Sequence, residues 1–202
     1  MNYLRVNIIE KNYYLFFYLF LFSYLLLGIF FSLGTGITAD ESIEQRNWLS
    51  KLELIKSYFE SNKTISFNPL DINHYFDRGL TIVEYDLRFY GIGFHYFSQI
   101  YLLLATLIFN FNNLSEEISK IILNHSFIFF NFFLSGIFAG KILNLIIKDK
   151  LYANLFIVLY LLYPYLLGHG FYNPKDSPFM FAWILSTYIS LKLFIKIKST
   201  NN

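Results

Sequence analysis

The stretch Tyr13-Tyr-Leu-Phe-Phe-Tyr-Leu-Phe-Leu-Phe-Ser-Tyr-Leu-Leu-Leu-Gly-Ile-Phe-Phe-Ser-Leu33 is almost unbroken Leu, Phe and Tyr and carries no charge. A helix needs about 20 mainly apolar residues to cross the hydrocarbon core of a bilayer. The stretch therefore predicts a first membrane-spanning helix. It is too long and too aromatic for the apolar core of a signal peptide, so we expect an uncleaved anchor. Gly34 and Gly36 indicate where this helix ends.

Three further apolar stretches are predicted to span the membrane: 122–147, 151–168 and 178–195. With 55% hydrophobic residues among 202, the chain is predicted to be an all-α integral membrane protein with about four transmembrane helices. Residues 93–111 are ambiguous, because their strictly apolar part is only about 12 residues, a length that favours interfacial or re-entrant segments. A protein of five transmembrane helices, in which 93–111 also spans, is the alternative.

Residues 38–92 form a long polar stretch with nine acidic and six basic residues, so we expect them to face water. Within it, 40–60 is predicted to be an amphipathic helix, because four apolar residues recur at helical spacing: Trp48, Leu52, Ile55 and Phe59. This helix either lies along the membrane surface or packs on other protein. With 93–111 kept on the same side, 38–111 is predicted to be an outer loop with juxtamembrane helices.

Positive charge predicts the orientation, because cytoplasmic loops of membrane proteins are enriched in Lys and Arg. In a four-span chain, one face collects most basic residues near the spans: Arg5, Lys11, Lys148, Lys150, Lys196 and Lys198, with Lys141 and Lys192 close by. The short loop 169–177 on the other face holds only Lys175. If 93–111 also spanned, Lys148 and Lys150 would move outside. We therefore predict a multi-pass protein of the inner (plasma) membrane with a cytoplasmic N-terminus.

This orientation places two acidic motifs on the same, outer side of the membrane. The first is Thr38-Ala-Asp40-Glu41, directly after the first span. An ionisable group at a membrane boundary is a functional candidate by default. The same spacing fits a capping box, with Thr38 as the N-cap and Glu41 reaching back. The two roles are compatible, because a cap fixes Glu41 and leaves Asp40 free to face a substrate.

The second acidic motif is Asn173-Pro-Lys175-Asp176-Ser-Pro-Phe, just before the last span. Its structural interpretation is again a cap, with Asp176 at the N-cap and Pro178 early in the helix. Lys175 adds a cation beside the carboxylate. The short loop holds further polar side chains: His169, Tyr172 and Asn173. A cation next to carboxylates suits a site that handles both a phosphate and a hydroxyl.

The remaining polar residues narrow the chemistry. Arg88, just before the ambiguous segment, is either an interface anchor or a phosphate ligand. Three histidines show no metal-ligand spacing and are interpreted as structural: His74, His95 and His125. The chain has no cysteine, which excludes disulfides, thiolate metal sites and a cysteine nucleophile. The net charge of +2 does not indicate binding to nucleic acid.

The two motifs, in this order and membrane placement, resemble the N-terminal half of a GT-C glycosyltransferase. The similar enzymes use polyprenyl-phosphate sugars, as do the protein O-mannosyltransferases of glycosyltransferase family 39 and the lipid A aminoarabinose transferases. Ile37-Thr-Ala-Asp40-Glu41 matches the first-loop Asp-Glu motif of that family. Tyr163-Pro-Tyr-Leu-Leu-Gly168-His169-Gly-Phe-Tyr-Asn173-Pro174-Lys175-Asp176-Ser-Pro178-Phe179 resembles a bacterial branch with a Gly-His…Asn-Pro-Lys-Asp-x-Pro-Phe signature. Residues 1–202 would then be the N-terminal part of a GT-C-type transmembrane domain.

The resemblance implies roles for particular residues. Asp40 would be the general base that removes the proton of the acceptor hydroxyl. Glu41 would support the first loop, and Asp176 would orient the acceptor. Inversion would follow from direct displacement of the lipid phosphate. The residues expected to bind the donor phosphate or the substrate are Lys175, Arg88, Asn173 and His169.

The resemblance also implies the partners: a polyprenyl-phosphate-sugar donor and a lipid, glycan or protein acceptor, with no metal or other cofactor. The family's enzymes have many more spans, so we expect a missing C-terminal half that completes the donor cavity. A truncated, catalytically inactive membrane protein or scaffold subunit is the alternative. A small transporter-like subunit is a third hypothesis. That hypothesis predicts charged residues within the spans. Lys141 is the only charged residue near a span interior, and it can snorkel to the surface, which counts against a transporter.

Overall fold

The computed structural model describes residues 2–36, 93–108 and 116–200, and every regular element in these ranges is helical. The six helices are α1 (Asn2–Leu33), α2 (Gly93–Ile108), α3 (Glu116–Ile147), α4 (Lys150–Leu162), α5 (Pro164–Tyr172) and α6 (Asp176–Thr200). The chain forms two compact units, and the packing described below belongs to the unit that comprises 1–37 and 100–202. The prediction of an all-α protein is confirmed. The amphipathic helix predicted at 40–60 lies outside the described residues.

Three helices are long and apolar enough to cross a membrane: Asn12–Leu33, Ile118–Ile147 and Asp176–Thr200. They confirm the spans predicted at 13–33, 122–147 and 178–195. α2 has 16 residues, and only its Phe97–Thr106 part counts as a short apolar helix. The chain is therefore a multi-pass membrane protein with three candidate spans, or four if a broken pair of helices counts as one.

The stretch predicted to span at 151–168 is a bent pair of helices and not one continuous helix. α4 ends at Leu162, and α5 begins at Pro164 after a bend of 62°. Proline lacks an N–H and disfavours a helical conformation for the residue before it, and Tyr163 is accordingly extended at φ −67° and ψ 114°. Gly168, expected to end the span, lies inside α5.

The first helix begins well before its apolar stretch. α1 starts at Asn2, eleven residues before Tyr13. An α-helix continues through polar residues when nothing breaks its hydrogen bonds, and Gly and Pro are the main breakers. Neither occurs before Gly28.

α3 is the central helix, because α1, α4, α5 and α6 all pack against it. Its contact with α4 uses a glycine seam. A side chain on Gly136 would meet Leu161 Cδ2 at 2.8 Å, and one on Gly140 would overlap Ile157. Glycines four residues apart let two helices approach closely inside a membrane. Because the higher-numbered glycine meets the lower-numbered residue of α4, α3 and α4 run antiparallel.

Phe129 joins three helices and is fully buried. Its ring lies over Gly28 of α1, where any Cβ would overlap it. It also stacks on Phe171 of α5, with ring centroids 5.4 Å apart. Tyr24, one turn before Gly28, contacts Phe129 and then Phe133. Since lower numbers in α1 meet higher numbers in α3, α1 and α3 are antiparallel.

The directions of the helices bear on the five-span alternative. Because α1 and α3 are antiparallel, the chain leaves α1 and enters α3 on the same side of the bundle. A single crossing by 93–111 would instead make these two helices parallel. α6 runs parallel to α3, since Phe138 contacts Phe181 and Lys141, further along α3, lies over the ring of Tyr188, further along α6. The turn between α5 and α6 therefore lies on the same side as the end of α1.

This shared side can be checked with single cysteines, because the natural chain has none. We expect Ser42→Cys and Tyr172→Cys to react with a membrane-impermeant maleimide from the same side of the membrane. Lys198→Cys, at the far end of α6, should react only from the opposite side. Labelling in intact and then permeabilised cells tests this. Reaction of Ser42→Cys and Tyr172→Cys from different sides would contradict the helix directions.

A second prediction concerns the close approach of α1 to α3. We expect Gly28→Ala to lower the free energy of unfolding by about 1–3 kcal/mol, the usual cost of overpacking a core, because Phe129 is enclosed and has no space to yield. Gly168→Ala is the matched control, since a Cβ there meets nothing within 4 Å. Thermal unfolding in detergent measures both variants. Equal melting temperatures would show that the Gly28 contact contributes nothing.

Candidate functional site

Four of the predicted site residues lie together in the turn between α5 and α6: His169, Asn173, Lys175 and Asp176. The other three lie outside the described residues: Asp40, Glu41 and Arg88. The second acidic motif therefore lies wholly within the described residues, and the first follows the end of α1 along the chain.

The side chain of Asn173 is the centre of the turn. Its Oδ1 accepts the backbone N–H of Lys175 at 3.1 Å and that of Asp176 at 2.8 Å. Its Nδ2 donates to Oδ2 of Asp176 at 2.9 Å. The same Nδ2 lies 2.9 Å from Nδ1 of His169. One amide therefore connects an imidazole, a carboxylate and the beginning of α6.

The prediction that Asp176 caps the last helix was wrong. Asp176 is the first residue of α6, and the oxygen that accepts the neighbouring N–H groups belongs to Asn173. An Asn three residues earlier can do this because its short side chain reaches backbone groups two and three positions on. Pro178 lies in the first turn of the helix, as predicted. The carboxylate of Asp176 is exposed beside the positive end of the helix dipole.

Ser177 was missed by the sequence analysis. It is 1% exposed, and its Oγ donates to the carbonyl oxygen of His169 at 3.0 Å. The backbone N–H of Asn173 donates to that same oxygen at 3.0 Å. The last turn of α5 is thus held to the first turn of α6. A serine in the first turn of a helix is too common to indicate this contact without the structure.

The ring of His169 lies against aromatic neighbours on α5. The ring centroid of Tyr165 is 4.7 Å away, and that of Tyr172 is 6.5 Å away. Gly168, between them along the helix, has open space where a side chain would be. Tyr165 is 67% and Tyr172 38% exposed. His169 therefore sits on an accessible aromatic face of α5 while its Nδ1 faces Asn173.

The turn lies far from the basic end of α3. Phe132 packs on Gly170, and Phe171 stacks on Phe129, 15 to 18 residues before the end of α3 at Ile147. At 1.5 Å per residue this is roughly 25 Å along α3. A hydrocarbon core is about 30 Å thick. The turn is thus separated from the basic end of α3 by a distance comparable to the thickness of a hydrocarbon core, and it directly precedes the candidate span Asp176–Thr200.

His125 is a second polar position, fully buried in α3. Its Nδ1 lies 2.7 Å from Oγ1 of Thr35, just after α1. Thr35 also donates its single hydroxyl proton to the carbonyl oxygen of Ser32 at 2.6 Å. Because that proton is used, Thr35 must accept from His125, which therefore carries its proton on Nδ1. The contact ties the end of α1 to α3, five residues before Asp40.

Within the described part of the chain, no three His, Asp or Glu side chains come together as a metal site. No protein-family model, curated protein or solved structure matches this chain. The function is therefore inferred from the chemistry of the turn and its position directly before a candidate span.

The hydrogen bonds of the turn predict different costs for two neighbouring substitutions. Asn173→Ala removes the acceptor for two helix N–H groups, and loss of such a cap costs about 0.5–2 kcal/mol. Asp176→Asn keeps the shape of an exposed side chain, and surface substitutions usually stay within about 0.5 kcal/mol. Melting temperatures in detergent check both. A larger loss in Asp176→Asn than in Asn173→Ala would show that the carboxylate, and not the amide, holds the turn.

Proposed function

We propose that the chain is a membrane glycosyltransferase module. It transfers a sugar from a polyprenyl-phosphate-linked donor to an acceptor hydroxyl at the outer face of the inner membrane, with inversion and with a carboxylate as the base. The observation that carries the proposal is the His169, Asn173 and Asp176 network. It directly precedes the candidate span Asp176–Thr200, on the side of the bundle where α1 ends and leads to Asp40.

The position of the turn directly before a candidate span supports a lipid-linked donor. A polyprenyl phosphate keeps its chain in the hydrocarbon core and its phosphate among the headgroups. A site for its sugar must therefore lie at the membrane edge, not deep in the core and not in a soluble domain. The turn fits such a site, because it directly precedes a candidate span and lies roughly 25 Å along α3 from the basic end of that helix.

The proposed roles divide between the two motifs. Asp40 removes the proton of the acceptor hydroxyl as it attacks the anomeric carbon, and the phosphate leaves from the opposite face. Glu41 supports the first loop. Asp176, an exposed carboxylate, orients the acceptor through its hydroxyl groups. The donor phosphate is bound by cations and N–H donors near the turn: Lys175, Arg88, His169 and Asn173.

The alternative is a catalytically inactive membrane or scaffold subunit, and one observation favours it. The hydrogen bonds of the Asn173 side chain all join groups of the turn itself, as expected of a purely structural cap. In that case the motif stabilises the junction of α5 and α6 without contacting a substrate.

Activity of carboxamide variants distinguishes the two functions. Membranes of the producing cell, carrying the wild type or one variant, are supplied with radiolabelled sugars on undecaprenyl phosphate. Transfer is then measured to endogenous acceptors. We expect Asp40→Asn to lose about 10²–10⁴-fold in rate, the contribution of a positioned general base, and Asp176→Asn to lose at least about tenfold, because an orienting contact of about 1.4 kcal/mol corresponds to that factor.

The matched control is Asp149→Asn at the opposite end of the bundle. Asp149 accepts the N–H of Leu151 and Tyr152 at the start of α4, and Asn caps helices about equally well. Transfer should therefore be unchanged. If membranes lacking the chain transfer every sugar as well as wild-type membranes do, the scaffold function is favoured instead.

A further inference from the structure

The orientation of the Asn173 amide is fixed by its neighbours. Two backbone N–H groups, of Lys175 and Asp176, donate to the same side-chain atom, and only an oxygen can accept them. The other end of the amide is therefore the NH₂ group, with two protons to donate. One goes to Oδ2 of Asp176, and the other points to Nδ1 of His169.

This assignment determines the protonation of His169. A nitrogen that receives an N–H at 2.9 Å must offer its lone pair, so Nδ1 of His169 carries no proton. A neutral imidazole has one N–H and one acceptor nitrogen. The proton is therefore on Nε2, on the side of the ring away from Asn173. The aromatic contact with Tyr165 holds the ring plane in place.

The intervening amide also changes what the histidine can do. A carboxylate in direct contact with a histidine draws the Nδ1 proton and leaves Nε2 as a base, as in catalytic triads. Here Asn173 stands between Asp176 and His169, and it presents a donor. Nε2 is left as an N–H donor and not as a base. Such a group binds an anionic oxygen without adding a positive charge of its own.

We propose that Asn173 is a positioning residue that fixes His169 as the Nε2–H tautomer, so that His169 donates a hydrogen bond to a phosphate oxygen at the membrane edge. The tautomer rests on the turn alone, whereas the phosphate rests on the proposed function. Two sources share this chemistry: a phosphate monoester on a lipid chain and free inorganic phosphate.

The tautomer can be read from nitrogen NMR of protein labelled with ¹⁵N-histidine in phosphatidylcholine nanodiscs. The measurement is made well above the ordinary histidine pKa of about 6.5, and loss of one signal set in His169→Gln gives the assignment. For His169 we expect a proton on Nε2 and none on Nδ1. His125 is the internal reference with the opposite pattern, a proton on Nδ1, because Thr35 can only accept from it.

Asn173→Asp is the decisive variant. An aspartate can still accept the N–H groups of Lys175 and Asp176, so the cap is kept, but it has no proton to donate. We expect the His169 proton to move to Nδ1 while His125 does not change. A purely structural role of Asn173 would leave the tautomer of His169 unaltered in this variant. That result, or an Nδ1 proton on His169 in the wild type, would overturn the positioning role.

The ligand is tested by adding dodecyl phosphate or inorganic phosphate to the same nanodiscs. A downfield shift of the His169 Nε2 proton with dodecyl phosphate alone supports a lipid-linked phosphate. The same shift with inorganic phosphate supports a free phosphate. Absence of both shifts overturns the phosphate contact. A failed transferase assay with the tautomer intact would sink the proposed function only, so the two failures are distinguishable.

Discussion

Inside a membrane, a backbone polar group that loses its helical partner must find another, because no water reaches it. This constraint governs the break at Tyr163 and Pro164. The last turn of α4 leaves carbonyl oxygens without helical donors, and the hydroxyl of Tyr24 donates to one of them, on Leu161. A side chain of α1 thus supplies a hydrogen-bond donor that the broken pair α4 and α5 lacks. α5 can turn away from α4 by 62° because its neighbour compensates.

The position of the polar turn follows from that break. α5 packs its inner face on α3 through Gly170 and Phe171, and its outer face carries Tyr165 and His169. At the end of α5, backbone groups again lose their helical partners and need others. The carbonyl oxygen of His169 is satisfied by Asn173 and Ser177, and the first N–H groups of α6 are satisfied by Asn173. The turn can interrupt the helical hydrogen bonds between α5 and α6 because its backbone groups are satisfied by its own side chains.

The sequence predicted three spans correctly, because the length of an apolar run is a local property that tertiary contacts hardly alter. The sequence did not predict the bend at Pro164, since an apolar run around a proline does not tell whether the helix ends or bends. The hydroxyl of Tyr24, which donates to the carbonyl oxygen of Leu161 beside the bend, is 137 residues away along the chain. It also assigned the cap to Asp176 instead of Asn173. Propensity ranks these two residues almost equally, and only the fold of the turn selects between them. The role of Asp40 remains a prediction.

The choice of asparagine at 173 has a chemical reason beyond capping. Its amide can accept two hydrogen bonds and donate two, and the turn uses all four. Serine or aspartate would satisfy the helix equally well but could not donate to both the imidazole and the carboxylate. Aspartate would also place a second negative charge beside Asp176, where like charges repel. A cap needs only the two acceptor sites. The two donor sites connect the cap to the imidazole of His169 and the carboxylate of Asp176. They leave the Nε2–H of His169 as a hydrogen-bond donor next to an exposed carboxylate.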